Sequence, residues 1–445
     1  MFPENNVLEQ LYSSARIAQL DKPHVFPQDL LEYLADPFFA DTDFMSKQVV
    51  GHSYLGQPIQ KVTVGKGNIA ILFWSQMHGD EPTATAALLD LIQFFQQNKT
   101  RPWLNEILDK VTLHIVPMLN PDGAQQQTRE NAQGIDINRD AAALQTPEGK
   151  VLKSLFDNIK PLFAFNLHDQ SKYYRIEDTL KPVEMAFLAP AGDAQESIPE
   201  HRCNAMKLIA AMLSDMSDEL FAKVAKYQDS YSPRAFGDLA CSQGIACVLI
   251  ESGATFNDSN RQNARRLNFL CLLHSIHHIA EQSYNKVLEF DYNSLPFNIE
   301  NGLSDLIIRG LNVDTVNASF SVDVAIKQQH QKLALISELG DLQQLGAYEV
   351  LNAHNFSYAP GNTFEVNQPI DLNKDKYISL LRNGFCRFSG DISLINQLTD
   401  WPIIKVPGES EPAGFWRKNM PPTWLMLFND QVKAALLEGK LIVLE

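Results

Sequence analysis

Cysteine is scarce in this chain: Cys203, Cys241, Cys247, Cys271 and Cys386 are the five in 445 residues. Their number is odd and no C-x-x-C spacing occurs. That argues against a disulfide framework and a cysteine zinc ribbon, and fits a reduced, intracellular protein. Basic residues are also in deficit, 37 Lys and Arg against 53 Asp and Glu, for a formal charge of −16. Such a balance lacks the basic face that neutralises a polyphosphate backbone, so no nucleic-acid partner is expected. No stretch approaches the roughly 18 consecutive apolar residues of a membrane-spanning helix, so no membrane partner is expected either. The first residues, MFPENNVLEQLYSSARIAQL, have an early glutamate and no unbroken apolar segment, unlike a secretory signal. The expectation is a cytoplasmic protein, or a periplasmic or secreted one if its start has been trimmed. Oligomeric state leaves no mark in the sequence.

Apolar residues are plentiful at 45%, with 20% charged. That supports a sizeable core, and the length suits two domains. After a helical lead-in to about residue 47, short apolar runs alternate with helix-length periodic segments. Ile69–Trp74, Val111–Met118, Leu162–Leu167, Met185–Ala189 and Ala246–Ile250 read as strands buried on both faces. Glu81–Gln97, Glu148–Lys160, Pro199–Lys226 and Asp258–Gln282 read as helices. The fold class is therefore α/β, a mostly parallel or mixed twisted sheet flanked by helices over residues 1–288. Residues 289–445 read as a smaller β-rich, sandwich-like domain, closed by a helix near Pro421–Leu437 and a strand at Leu441–Leu444.

Ligands of such sheets bind at the carboxyl ends of the strands, so the polar residues following each apolar run matter most. The first run leads into SQMHGDEP, with His78 and Glu81 three apart across the turn. The third ends in FNLHDQ, placing His168 at the same edge. Two imidazoles and a carboxylate are a recognised catalytic zinc set that leaves one position open for water. The last run continues into Glu251, where a carboxylate can take a proton from water and pass it to a leaving amine. After the second run, NPDG has turn chemistry, and Arg129, Asp136, Asn138 and Arg139 follow. Guanidinium and amide donors in an acidic protein suit an anionic substrate group. Asp136 can accept the free N–H of a ligating histidine and fix its tautomer.

H-x-x-E, N-P-D-G, R-x-N-x-x-G-I-D-x-N-R, a later strand-end His and a final strand-end Glu occur here in that order. With the lead-in VGHSYLGQPIQKVTVGKG, they resemble the zinc metallocarboxypeptidases of the carboxypeptidase A type over about residues 50–283. The resemblance implies one Zn2+ held by His78, Glu81 and His168, with Glu251 as general base and acid. It implies Arg129 beside the developing oxyanion and Asn138 and Arg139 on the substrate's terminal carboxylate. Asp136 stands behind a zinc ligand, and the offset of the substrate-capping tyrosine falls near Ser230, between Tyr227 and Tyr231, with Tyr231 the expected one. The substrate is then a peptide with a free C-terminal carboxylate, cut by glutamate-assisted attack of water on its last amide. Two positions depart from the pattern. Asp140 is an acid beside the clamp, and Gly237 lacks a side chain where preference is often set.

Two other readings stay open: a zinc-dependent deacylase of N-acyl amino acids, aspartoacylase-like, and a non-catalytic binding module with a vestigial site. The N-P-D-G turn and the arginine spacing favour the peptidase, and the completeness of the set favours an enzyme. His330 and His354 in the C-terminal domain read as surface residues rather than ligands.

Overall fold

In a computed structural model of the chain, residues 1–39, 42–216, 223–228, 230–256, 258, 260–328, 333–406 and 417–444 are described. Two compact units divide after Glu300. The division falls beyond 289 because the helix Glu289–Asn293 and the short strand Asn298–Ile299 belong to the first unit, the strand pairing with Arg175–Ile176. Among the described residues, no helix is long and apolar enough to cross a membrane.

The strands of the first unit are β1 (Met45–His52), β2 (Pro58–Gly65), β3 (Ile69–Trp74), β4 (Val111–Val116), β5 (Phe163–Asp169), β6 (Arg175–Ile176), β7 (Met185–Leu188), β8 (Val224–Lys226), β9 (Ala246–Ser252) and β10 (Asn298–Ile299). Eight of them form one mixed sheet in the order β1-β2-β4-β3-β5-β9-β7-β8. Its centre, β4-β3-β5-β9, is parallel, and the flanking pairs β1–β2, β2–β4 and β7–β9 are antiparallel. The apolar runs are continuous because both faces are covered. Ile71, Phe73, Phe163, Phe165, Val248 and Ile250 pack into one core with the helices Thr83–Asn98, Glu200–Ser214 and Gln262–Glu281. Leu72, Trp74, Ala164 and Cys247 pack into a second core with residues of the helices Pro147–Ile159 and Phe236–Ser242.

Chain order reverses at β3. From there the chain steps out to β4 on one side and returns to β5 on the other. The loops leaving β3 and β5 therefore diverge and open a crevice at the carboxyl edge, the usual binding place of open α/β sheets.

The lead-in holds two helices, Asn5–Ala15 and Pro27–Ala35, before β1 begins at Met45. One buried ion pair ties it to the core. Both carboxylate oxygens of Asp90 accept from Arg265, at 2.7 and 2.6 Å. Asp90 also accepts from Ile17 N, and Arg265 donates to Ile17 O.

The second unit carries an eight-stranded sheet. Leu306, Ile308, Val324, Trp424 and Met426 form one core cluster. Leu425, Ala435 and Leu437 join another with the helix Lys374–Arg382 and the paired strands Asn362–Val366 and Phe385–Gly390. The helix expected over Pro421–Leu437 is instead a hairpin of strands Thr423–Phe428 and Gln431–Leu437. Asn429 and Asp430 at its tip both have positive φ, 48° and 60°, as a two-residue primed turn requires. Burial on both faces makes its Leu- and Ala-rich strands look helical in sequence, because the period-2 signal disappears. The helix expected over Pro199–Lys226 ends at Ser214, residues 217–222 lie outside the described set, and Val224–Lys226 is β8. His330 also lies outside the described residues.

Removing one partner of a buried pair strands the other charge, at a cost of about 3–5 kcal/mol. Asp90→Ala should lower the unfolding free energy of the first unit by that amount in urea titrations. Asp90→Leu with Arg265→Met should regain most of it. A loss below about 1 kcal/mol for Asp90→Ala would show that the pair does not anchor the lead-in.

Candidate metal and catalytic site

The turn after β3 is drawn tight by its neighbour. Asn120 caps the short helix Pro121–Gln126 by accepting from Gly123 N, and donates to Met77 O. The backbones meet so closely that a Cβ on Gly79 would lie 1.9 Å from the Gly123 carbonyl carbon. Asp122 accepts from Ser53 Oγ, Leu55 N and Gln57 Nε2, tying the β1–β2 turn to the same bracket. The NPDG motif thus acts as a scaffold, and its rigidity is passed to His78 and Glu81.

His78, Glu81 and His168 converge in this crevice, all buried, with their potential ligand atoms within 4.8 Å of one another. One oxygen of Glu81 faces His78 Nδ1 and the other faces His168 Nδ1, each at 2.8 Å. The far nitrogen of His78, Nε2, lies 3.0 Å from Asp136 Oδ1. Asp136 Oδ1 also accepts from Asn138 N, and Oδ2 accepts from Arg129 Nε at 3.0 Å. The guanidinium NH1 of Arg129 reaches to 3.2 Å from His78 Nδ1 and 3.4 Å from Glu81 Oε1. Asp136 therefore orients a histidine, an arginine and a loop at once.

Glu251 is the Cα partner of His168 across β5–β9, and half-buried in the same crease. Burial, reinforced by the charge of Glu81, raises its pKa well above the usual carboxylate range. Burial opposes ionisation of His78 too, but the charge of Glu81 and hydrogen bonds to Asp136 and Glu81 outweigh it and raise its pKa to about 9. His168 is pushed down by burial. Glu81 is held below the ordinary range by the two imidazoles despite its burial.

This donor set fits zinc. Tetrahedral donors at zinc–ligand distances of about 2.0–2.1 Å stand ~3.3 Å apart, so three donors already within hydrogen-bonding reach need only small rotations to take a cation. A buried carboxylate between two imidazoles is also chemistry that a divalent cation satisfies better than shared protons do.

The other expected residues are placed differently from one another. Asn138 is buried, its Oδ1 accepting from Phe236 N and its Nδ2 lying 3.5 Å from His168 Nε2. Arg139 is exposed and donates to Asn138 O. Asp140 turns away from the crevice and accepts from Gln145 N, Thr146 N and Thr146 Oγ1, so this departure from the family pattern caps a loop. Tyr231 is half-buried in the loop before the helix Phe236–Ser242, and no hydrogen bond joins it to the metal-ligand candidates or Glu251 among the described residues.

The tyrosine brought to the face of Glu251 is another one. Glu251 is paired with Ala186 and Ala186 with Ala225, so the three share a face, and Tyr227 lies two residues beyond Ala225. Its hydroxyl is 3.3 Å from that of Tyr174. Burial first, with a contribution from the charge of Glu251, raises the pKa of both phenols. Tyr227 was the second tyrosine flanking the expected offset, and Tyr174 was not legible beforehand, because β8 is three residues long and its pairing leaves no sequence pattern.

Residues 31–172 match the family model described as zinc carboxypeptidase. The chain is 32% identical over 136 residues to Carboxypeptidase SOL1 of Arabidopsis thaliana, covering 27% of this chain and 28% of that protein. It is 28% identical over 130 residues to Carboxypeptidase 2 of Trichophyton tonsurans, covering 28% and 24% respectively. The chain thus spans about a quarter of the length of these curated relatives. Among solved structures, a metallo-carboxypeptidase from Burkholderia cenocepacia covers 58% of this chain and 69% of its own, at 17% identity and a TM-score of 0.47. The family resemblance read from the sequence is borne out by the family model and the curated relatives.

One zinc per chain is expected to bind. Asp136→Asn should weaken it about 10–100-fold in competition with a chromogenic chelator, because the support behind His78 Nε2 is altered. Unchanged affinity would mean that Asp136 serves only the loop.

Proposed function

We propose, starting from a chain that carries a zinc carboxypeptidase domain over residues 31–172, that this protein removes the C-terminal residue of peptides. The observation that carries the reading is the convergence of His78, Glu81 and His168, with Glu251 one strand away and Arg129 on the other flank. His78, Glu81 and His168 would hold the zinc, which when bound supplies Lewis-acid polarisation of the scissile carbonyl and acidifies water.

The remaining work falls to side chains. Glu251 takes a proton from the attacking water as the new C–O bond forms. It returns the proton to the departing amine as the C–N bond breaks. Burial first, and then the charge of Glu81, favour the acid form of Glu251; a cation held by His78, Glu81 and His168 would offset the second of these and favour the carboxylate. Arg129, 41% exposed at its side chain and fixed by Asp136, turns its guanidinium toward the place where negative charge develops on the carbonyl oxygen. Asn138 and Arg139 hold the substrate's terminal carboxylate, Arg139 from the solvent side, where it is exposed and donates to Asn138 O. Tyr227 and Tyr174, rather than Tyr231, offer a hydroxyl to the substrate on the Glu251 flank.

Amidating the C-terminus of a cleaved peptide should lower kcat/KM about a hundredfold or more, since two charge-assisted hydrogen bonds are lost, roughly 3 kcal/mol. Equal turnover of acid and amide would refute a carboxypeptidase and favour another amidase. Glu251→Gln should keep its zinc by elemental analysis yet lose nearly all turnover. Near-normal activity would require a different base.

A further inference from the structure

Past His168 the sheet has little left to hold β5. The pairing of β3 with β5 ends at Trp74 and Asn166, so beyond Asn166 the strand beside β5 is β9 alone. That ladder ends one step after His168–Glu251, at Asp169–Ser252. Gln170 N adds one bond to Ser252 O at 2.9 Å, and the strands stop there. The last rungs of a ladder open at lower free energy than its middle. Here they carry a metal-ligand candidate and Glu251.

Of the two strand ends, that of β9 is the firmer. On its other side Gly253 N donates to Glu184 O and Ala254 N to Val183 O, and a Cβ on Gly253 would lie 1.9 Å from Val183 O. The end of β5 has no strand on its β3 side. Asp169 Oδ2 accepts from Thr83 N and Oγ1, and Asp169 N donates to Glu81 Oε2 at 3.3 Å. Whatever fixes this end therefore also bears on the carboxylate between the two imidazoles.

Arg261 joins the two ends. Its NH1 donates to Ser252 O at 2.7 Å and to Gly253 O at 3.3 Å, and its NH2 donates to Gln170 O at 2.9 Å. A planar fork with donors in fixed directions can bridge carbonyls of two chains at once, where a single ammonium cannot. The backbone is held for the purpose. Arg261 caps the helix Gln262–Glu281 with φ 53° and ψ 32°, a left-handed conformation unfavourable for a side chain of this size. Asp258 stabilises it, its carboxylate accepting from Gln262 N and Asn263 N and its carbonyl from Arg261 N.

From this geometry we infer that Arg261 is a positioning residue for the reaction: by tying the carboxyl ends of β5 and β9 it fixes His168 against Glu251. The inference rests on the carboxypeptidase reading and adds a residue that acts through backbone alone. Misplacement of reacting groups by about 1 Å costs on the order of 100-fold in rate, so a loosened last rung is felt in turnover.

The test uses the full-length, zinc-loaded protein, a peptide that the wild type cleaves, and rates expressed per folded, zinc-containing molecule. Arg261→Gln should lower kcat about 10- to 100-fold and change KM less than about threefold, because the tie acts on the reacting groups and not on the hold on substrate. Arg261→Lys should recover little of this, and added guanidinium ion should partly restore Arg261→Ala. Hydrogen exchange gives a readout independent of turnover. In Arg261→Gln the Gln170 amide should exchange at least about tenfold faster, while Phe165 and Val248 in mid-strand keep their wild-type rates. A kcat within about twofold of wild type, full recovery by Arg261→Lys, unchanged exchange at Gln170, or an equal rise at all three amides, as general destabilisation gives, overturns the inference and leaves the carboxypeptidase standing. A wild type that cleaves no peptide overturns the carboxypeptidase reading, and the exchange rates alone then decide whether Arg261 ties the strands.

Discussion

The site depends on one topological constraint, the reversal of strand order at β3. Because β4 and β5 lie on opposite sides of β3, the loop bearing His78 and Glu81 turns away from the one that follows His168, and a crevice opens between them. The parallel register then does the rest. His168 and Glu251 are level across β5–β9, so one metal-ligand candidate and Glu251 stand side by side without any loop having to hold them there. Strand ends are stiffer than loops, and positioning to within fractions of an ångström is what catalysis on an amide demands.

Electrostatics within the crevice follow from burial. Three titratable side chains are removed from water around one point, and each finds its partner in another: Glu81 between two imidazoles, His78 between Glu81 and Asp136. Asp136 then carries the arrangement outward by holding Arg129 and the backbone of Asn138. The arginine and the amide are thus placed by the same carboxylate that orients a metal-ligand candidate. A change at Asp136 is therefore felt by His78, Arg129 and Asn138 together.

How much of this the sequence disclosed depends on what each residue interrupts. His78, His168 and Glu251 follow unbroken apolar runs, IAILFW, LFAFNL and ACVLI, and each polar residue at such a boundary signals a sheet edge. Strand order does not appear in a sequence, so Tyr227 could not be assigned to the face of Glu251 until β7 and β8 were paired. The offset pointing to Tyr231 counted residues along a loop, and a loop's path is set by tertiary contacts. In the C-terminal unit, Thr423–Leu437 hid a hairpin, since burial of alternate residues in two separate clusters erased the polar stripe that marks a strand. Its one local signal was Asn429-Asp430, a dipeptide that tolerates positive φ at both positions.

Asn166 shows why a polar residue inside an apolar strand is informative in a way that net charge is not. The formal charge of −16 describes the solvated surface, where each acid has water and salt around it. A carboxamide in the middle of FAFNLHD has neither, and a strand of this kind would be more stable with valine at that position. The fold bears the cost of Asn166 and of the indole of Trp74, its Cα partner, on the one face that also carries His168. A stability penalty localised beside a metal-ligand candidate is the pattern expected where selection acts on a bound state rather than on the empty protein.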